Sequence, residues 1–225
     1  MGIFDAFRKK EKEDVSQAVI TEYQNFYSTN RNEKISFYGL IEYNEHGPEA
    51  IYDIPYSETI HVDFPFESEC VWEEWPEQQV EEMRQKVQYG TIAIASEGCN
   101  IYWLLVVNGA HAGNVWLYTE SGVTPVAPNM NLAVWKSRCL ESGNTFWRDA
   151  VKNWGEEEND FFYGHVAAKM VNQEQFSFAV SSPMCRICYN MMLNFAKNTG
   201  QAIVITDPID TKVIKPDLTV EHIIR

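Results

Sequence analysis

No apolar run in this chain of 225 residues approaches the ~20 that a membrane-spanning helix needs, so a membrane partner is not expected. Basic clusters are also scarce. Beyond Arg8, Lys9, Lys10 and Lys12, nothing concentrates positive charge, and 18 basic side chains face 32 acidic ones for a net charge of −14. A nucleic-acid binder needs a positive footprint for the phosphate backbone, and an anionic membrane surface makes the same demand, so nucleic acid is not expected as a partner either. The basic cluster near the N-terminus is not followed by an apolar h-region, so it is not read as a secretory signal. Position 6 is Ala6, where a myristoylated Gly2 would want Ser or Thr. Residues 1–13 are expected to form a flexible N-terminus. Disulfide spacing is missing too. The five cysteines are an odd number and read as reduced thiols of a cytoplasmic protein.

The signatures of common catalysts are absent as well. There is no Gly-x-Ser-x-Gly, no phosphate-binding glycine loop and no His-Glu-x-x-His. His111 stands in a glycine-flanked loop without a neighbouring nucleophile, and His61 reads as a surface histidine. The expectation is therefore a non-enzyme, with no catalytic residues, no cofactor and no metal.

What is present is an ordinary globular composition, 45% hydrophobic and 22% charged. Its centre is a set of three apolar runs, 91–95, 101–107 and 115–119, each closed by a glycine turn at Gly98, Gly109 or Gly122. Short connections between consecutive strands favour antiparallel pairing. The middle run is apolar on both faces, which suits a strand covered on both sides. The fold class expected is α+β: a central, mainly antiparallel sheet flanked by helices, with a C-terminal α/β extension.

Gly90 to Ala95, then Glu97-Gly98-Cys99-Asn100-Ile101-Tyr102, then Gly113-Asn114-Val115-Trp116 resembles the central motif of the SUKH superfamily. The helix at 21–30 is similar to that family's early helix. The family includes bacterial immunity proteins for polymorphic toxins and fungal regulators of cell-wall synthesis. The resemblance implies a SUKH-like α+β domain over 14–155 and a non-catalytic protein-binding role, that of an immunity protein neutralising a cognate toxin. An acidic chain suits a nuclease toxin, whose nucleic-acid site is basic, because opposite charge speeds encounter. An intracellular regulator or scaffold is the alternative of the same binding class. Residues 156–225 lie beyond the resemblance and are expected to be an extension packed on the same domain.

Along the chain, Asp14 is expected to cap a helix to about Phe26, with Val15, Ala18, Val19, Tyr23 and Phe26 inward. Residues 35–43 and 50–54 have strand composition, and 59–64 alternates with Ile60, Val62 and Phe64 on one face. Pro76 opens a helix to 88 whose apolar stripe is Val80, Met83 and Val87. Asn131 and Asn144 are expected caps of two helices ending near Ser142 and Trp154, with Leu132, Trp135 and Cys139, then Trp147, Ala150, Val151 and Trp154, turned inward. In the tail, 176–180 and 202–206 read as strands around a helix from Pro183 to Asn198, with Gly200 as its stop. Residues 213–214 and 219–224 stay ambiguous.

Two stretches carry candidate chemistry. Glu67, Glu69, Glu73, Glu74, Glu77, Glu81 and Glu82 all precede the nearest base, Arg84, and enclose Trp72 and Trp75. Aromatic anchors ringed by charge form a plausible surface for a basic protein partner, with Trp72, Glu73, Glu74, Trp75, Glu77 and Glu81 as its residues. The competing reading packs both tryptophans beneath the helix and leaves the glutamates solvated. The second stretch is Cys185-Arg-Ile-Cys188. Its spacing at a helix start allows a thiol-redox pair or half of a zinc site, but a second Cys-x-x-Cys or a His pair is missing. Small cysteines on an apolar helix stripe with Met191, Met192 and Phe195 explain the spacing as core, which is the expectation.

Overall fold

A computed structural model describes residues 3–44, 47–48, 51–52, 54–72, 74–142, 146–151, 154, 176–180 and 183–224. The chain divides into two compact units: Met1–Ser96 with Ile101–Trp154, and Glu97–Asn100 with Gly155–Arg225.

The first unit is built on a five-stranded antiparallel sheet. Its strands are β3 (Cys70–Val71), β4 (Thr91–Gly98), β5 (Ile101–Val106), β6 (Val115–Thr119) and β7 (Gly122–Thr124), in the order β3-β7-β6-β5-β4. The meander is as expected, and β5 is an interior strand. The pairing of Tyr102 with Tyr118 and of Leu104 with Trp116 fixes which side chains share a face. Ala93, Leu104, Val106, Trp116, Tyr118 and Val123 join Phe64, Phe66 and Trp72 in one core, closed by Val80 and Val87 of the segment around α3 (Glu77–Lys86). On the opposite face, Trp103 meets Trp135 of α4 (Leu132–Ser142) edge to face, with ring centroids 5.8 Å apart. Asn131 caps α4 by accepting the Val134 N–H at 3.0 Å, as its position in the sequence suggested.

Helix α1 (Ile3–Asn30) is longer than the sequence reading allowed. Residues 3–13 are helical, and Asp14 is interior rather than a cap. The reason lies in composition: Ala, Arg, Lys and Glu are strong helix formers and continue the helix toward the N-terminus. The apolar stripe is also shorter than expected. Val19 and Tyr23 are buried, but Val15 is exposed at 48%. The Tyr23 hydroxyl donates to the Ile41 or the Ile94 carbonyl, each at 3.2 Å, so the helix is anchored near that point. Val15 lies about 12 Å away along the axis.

The strand expected over 35–43 is broken. Gly39, at φ +84°, turns the chain, and only Leu40 makes a bridge, to Ala95. The regular pairing that follows is β1 (Tyr43–Asn44) with β2 (Gly47–Pro48). Ala50 and Asp53, within the second expected run, lie outside the described residues. The 59–64 alternation fails as well. The short helix α2 (Tyr56–Thr59) precedes it, Ile60 and Phe64 are buried, and Val62 is 42% exposed. Isolated bonds such as Phe64 N–H to the Asn108 carbonyl hold this stretch, instead of a continuous ladder. Of the helix expected after Asn144, the described residues show α5 (Arg148–Val151), and Trp147, Val151 and Trp154 are buried. Asn144 itself lies outside the described residues.

The second unit contains β8 (Ser177–Ala179), α6 (Arg186–Thr199), β9 (Ile203–Thr206), β10 (Thr211–Ile214) and β11 (Val220–Ile223). Their sheet runs β11-β10-β9-β8; β8 and β9 are parallel, and the other pairs are antiparallel. A parallel pair needs a crossover, which α6 supplies. Helix α6 ends as expected on Gly200 in the left-handed conformation, φ +70°. Its buried stripe is Cys188, Met192 and Ala196. Of the expected Met191, Met192 and Phe195, Met192 is buried and the other two are half-buried. Residues 155–160, where the SUKH-like domain is expected to end, lie outside the described residues.

Candidate functional sites

The acidic segment splits its two tryptophans. Strand β3 pairs with β7, and Trp72 N–H continues that pairing to the Ser121 carbonyl at 3.0 Å. This drives Trp72 into the core, where it is fully buried and its indole N–H donates to the Glu120 carbonyl at 2.7 Å. Trp72 is therefore not a surface anchor: strand pairing and a satisfied indole hold it inside. Trp75 follows one turn later, its N–H bonded to the Trp72 carbonyl, and is 40% exposed. Glu74, Glu77 and Glu81 are exposed beside it, while Glu73 lies outside the described residues. Glu77 and Glu81 are four apart on α3 and so share a face. Glu82 is engaged by Lys86 at 2.6 Å, and Gln85 donates to Glu81 at 3.2 Å. Glu77 in the first turn of α3, with Arg84 and Lys86 in the last, matches the helix dipole.

His111 is half-buried against Trp116, with ring centroids 5.1 Å apart, and a ring nitrogen lies 3.1 Å from the Glu67 carbonyl. Those contacts give it a structural position. His61 is exposed, as expected.

In the second unit, Cys185 and Cys188 are joined by a residue the sequence reading did not bring to them. Cys99 and Asn100 are the two residues between β4 and β5, and both have positive φ, +50° and +57°. That is the signature of a type I′ hairpin turn, whose usual occupants are Asn, Asp and Gly. The turn aims Cys99 at the start of α6. Cys185 is the N-cap of that helix and Cys188 lies within its first turn. The Sγ atoms of Cys99, Cys185 and Cys188 all lie within 4.8 Å of one another, and Cys99 to Cys188 is 3.8 Å. Cys185 and Cys188 are buried and Cys99 is half-buried. Hydrogen bonding from Cys185 and Cys99, followed by burial, pushes the Cys188 thiol well above the usual range. The signal available in the sequence was the cysteine at a turn position that favours Asn or Gly. The contact itself spans 89 residues, which no local pattern carries.

A buried charge network lies in the same unit. Lys212 donates to Asp207 at 2.7 Å and also to Asp210, and all three side chains are 6% exposed or less. Asp207 also accepts the backbone N–H groups of Ile209, Asp210 and Met184. Burial pushes Asp207 up, but the Lys212 ammonium and those N–H donors hold it below the usual carboxylate range. Asp210 is likewise held low, burial being outweighed by Lys212 and His222. Through Met184, Asp207 fixes the backbone just before Cys185.

No family model matches this chain, and neither a curated protein nor a solved structure matches it. Among the described residues, no helix is long and apolar enough to cross a membrane.

Proposed function

We propose that the chain is a non-catalytic protein-binding module that takes a basic partner on the surface formed by Glu74, Trp75, Glu77 and Glu81. In line with the SUKH-like motif, the partner is a toxin domain that this chain neutralises. The observation that carries the reading is Trp75, a large aromatic side chain 40% exposed among exposed carboxylates. A partly exposed indole offers contact area at low entropic cost, and tryptophan is enriched where interfaces concentrate their energy. The net charge of −14 supports the choice of a basic partner, because opposite charge speeds encounter.

The test is to look among the genes neighbouring this one for a secreted protein with a cytotoxic C-terminal domain and to co-express that domain with this chain. The reading expects restored growth and a salt-sensitive complex. Trp75→Ala combined with Glu77→Lys and Glu81→Lys is expected to weaken that complex by roughly 30-fold or more, the effect of losing a binding hot spot. Unchanged toxicity with no complex would refute the immunity role. A complex indifferent to the triple variant would refute this placement of the surface.

A further inference from the structure

We infer that Cys99, Cys185 and Cys188 form a metal site for a thiophilic divalent cation, with zinc as its ion. Zinc–thiolate bonds are about 2.3 Å, so two sulfurs of a tetrahedral site stand about 3.8 Å apart. Cys99 Sγ and Cys188 Sγ are 3.8 Å apart, and Cys185 Sγ completes a triangle with no separation above 4.8 Å. A disulfide needs about 2.05 Å and only two cysteines, which leaves the third thiol without a role.

The backbone is shaped to bring the sulfurs together. Gly98 has φ +81°, and a Cβ there would lie 2.7 Å from both Cα and N of Cys185. Only glycine lets the turn approach the helix start this closely. Cys99 N–H donates to the Pro183 carbonyl at 2.6 Å, and Cys185 N–H points at Cys99 Sγ at 3.4 Å. An amide aimed at sulfur stabilises thiolate charge. Cys99 itself occupies the left-handed region, φ +50°, which residues with a Cβ rarely adopt. Filling a core with a small apolar side chain requires none of this.

Outer contacts also support the ligands. Asp207 holds the Met184 N–H at 3.2 Å, and the salt bridge to Lys212 keeps that carboxylate in place. Such outer contacts orient ligands. On binding, zinc replaces the thiol protons. One Zn²⁺ and three Cys–SH give a tris-thiolate complex of net charge −1 and three released protons. Among the described residues, the cluster supplies three of zinc's four ligands.

The test uses the full-length chain, purified under reducing conditions, stripped with a chelator and titrated with zinc and with cobalt. One equivalent of zinc per chain is expected. Cobalt is expected to produce a sulfur-to-cobalt charge-transfer band that zinc abolishes. In the wild-type chain, zinc is expected to protect the half-buried Cys99 from alkylation, a readout that needs no variant. Cys99→Ser is expected to lower zinc affinity by roughly 100-fold or more, beyond the loss of an outer-shell partner. Cys70→Ser is expected to leave it unchanged. Absence of zinc binding, equal affinity in Cys99→Ser, or a Cys99–Cys188 disulfide in the purified chain would overturn the assignment.

Discussion

The two units close their cores with different chemistry. In the first, the largest buried side chains are rings: Trp72, Trp103, Trp116, Trp135, Tyr23 and Tyr118, layered on both faces of the β3–β7 sheet. All seven tryptophans of the chain fall at or before Trp154, and the second unit has none. That unit instead buries a lysine between two aspartates and gathers three thiols at the start of α6. An apolar core is held by area removed from water, which is additive and tolerant of detail. A buried polar network, which the second unit adds to its apolar Met192, Ile203, Ile205 and Ile214, depends on every donor finding its acceptor and is lost when one partner is removed.

The largest effect that separates these modes comes from the first unit. Trp72→Ala is expected to cost about 3–5 kcal/mol in denaturant unfolding, because it empties a packed site and leaves the Glu120 carbonyl without its indole donor. A loss below ~1 kcal/mol would mean that the ring layer is not what holds the core.

In the second unit, Asp207→Asn is expected to cost about 1.5–3 kcal/mol, as for a hydrogen bond to a charged group. Its signature is dependence on pH. Asp207 and Asp210 are held below their ordinary range in the folded chain, so their contribution is complete above the unfolded carboxylate value of ~3.9. It is lost as pH falls below that value and through their lowered folded values. Stability measured from pH 7 down to 3 should therefore fall, and Asp207→Asn should fall less steeply. Parallel curves for the two proteins would show that Asp207 is not part of the acid response.

The smallest effect belongs to Trp75→Ala, expected to change stability by no more than about 0.5 kcal/mol, as at a surface position without special contacts. It lies only three positions after Trp72 in sequence. A cost comparable to that of Trp72→Ala would show that Trp75 belongs to the core after all.

Legibility in the sequence follows the same division. The meander, α3, α4 and their buried stripes were readable because apolar period and turn residues are local signals, as at Asn131 and Gly122. Tryptophan type alone did not separate Trp72 from Trp75. The pairing of β3 with β7 decides that, and it joins residues about fifty positions apart. The short β1–β2 pair was missed because Gly39 interrupts a run whose composition reads as one strand. Cys185 and Cys188 were visible as a spacing, but their partner Cys99 belongs to a hairpin turn far upstream. Lys212 carries no local sequence signal and directly precedes the ambiguous residues 213–214. Its burial rests on Asp207, which local periodicity does not reveal.

The most direct test of this contrast is hydrogen exchange of the reduced full-length chain with zinc and after chelation. The account expects zinc to slow exchange in the Glu97–Asn100 turn and across 183–199, while β5 and β6 exchange at the same rate in both conditions. Identical protection of the turn and of α6 with and without zinc would contradict it.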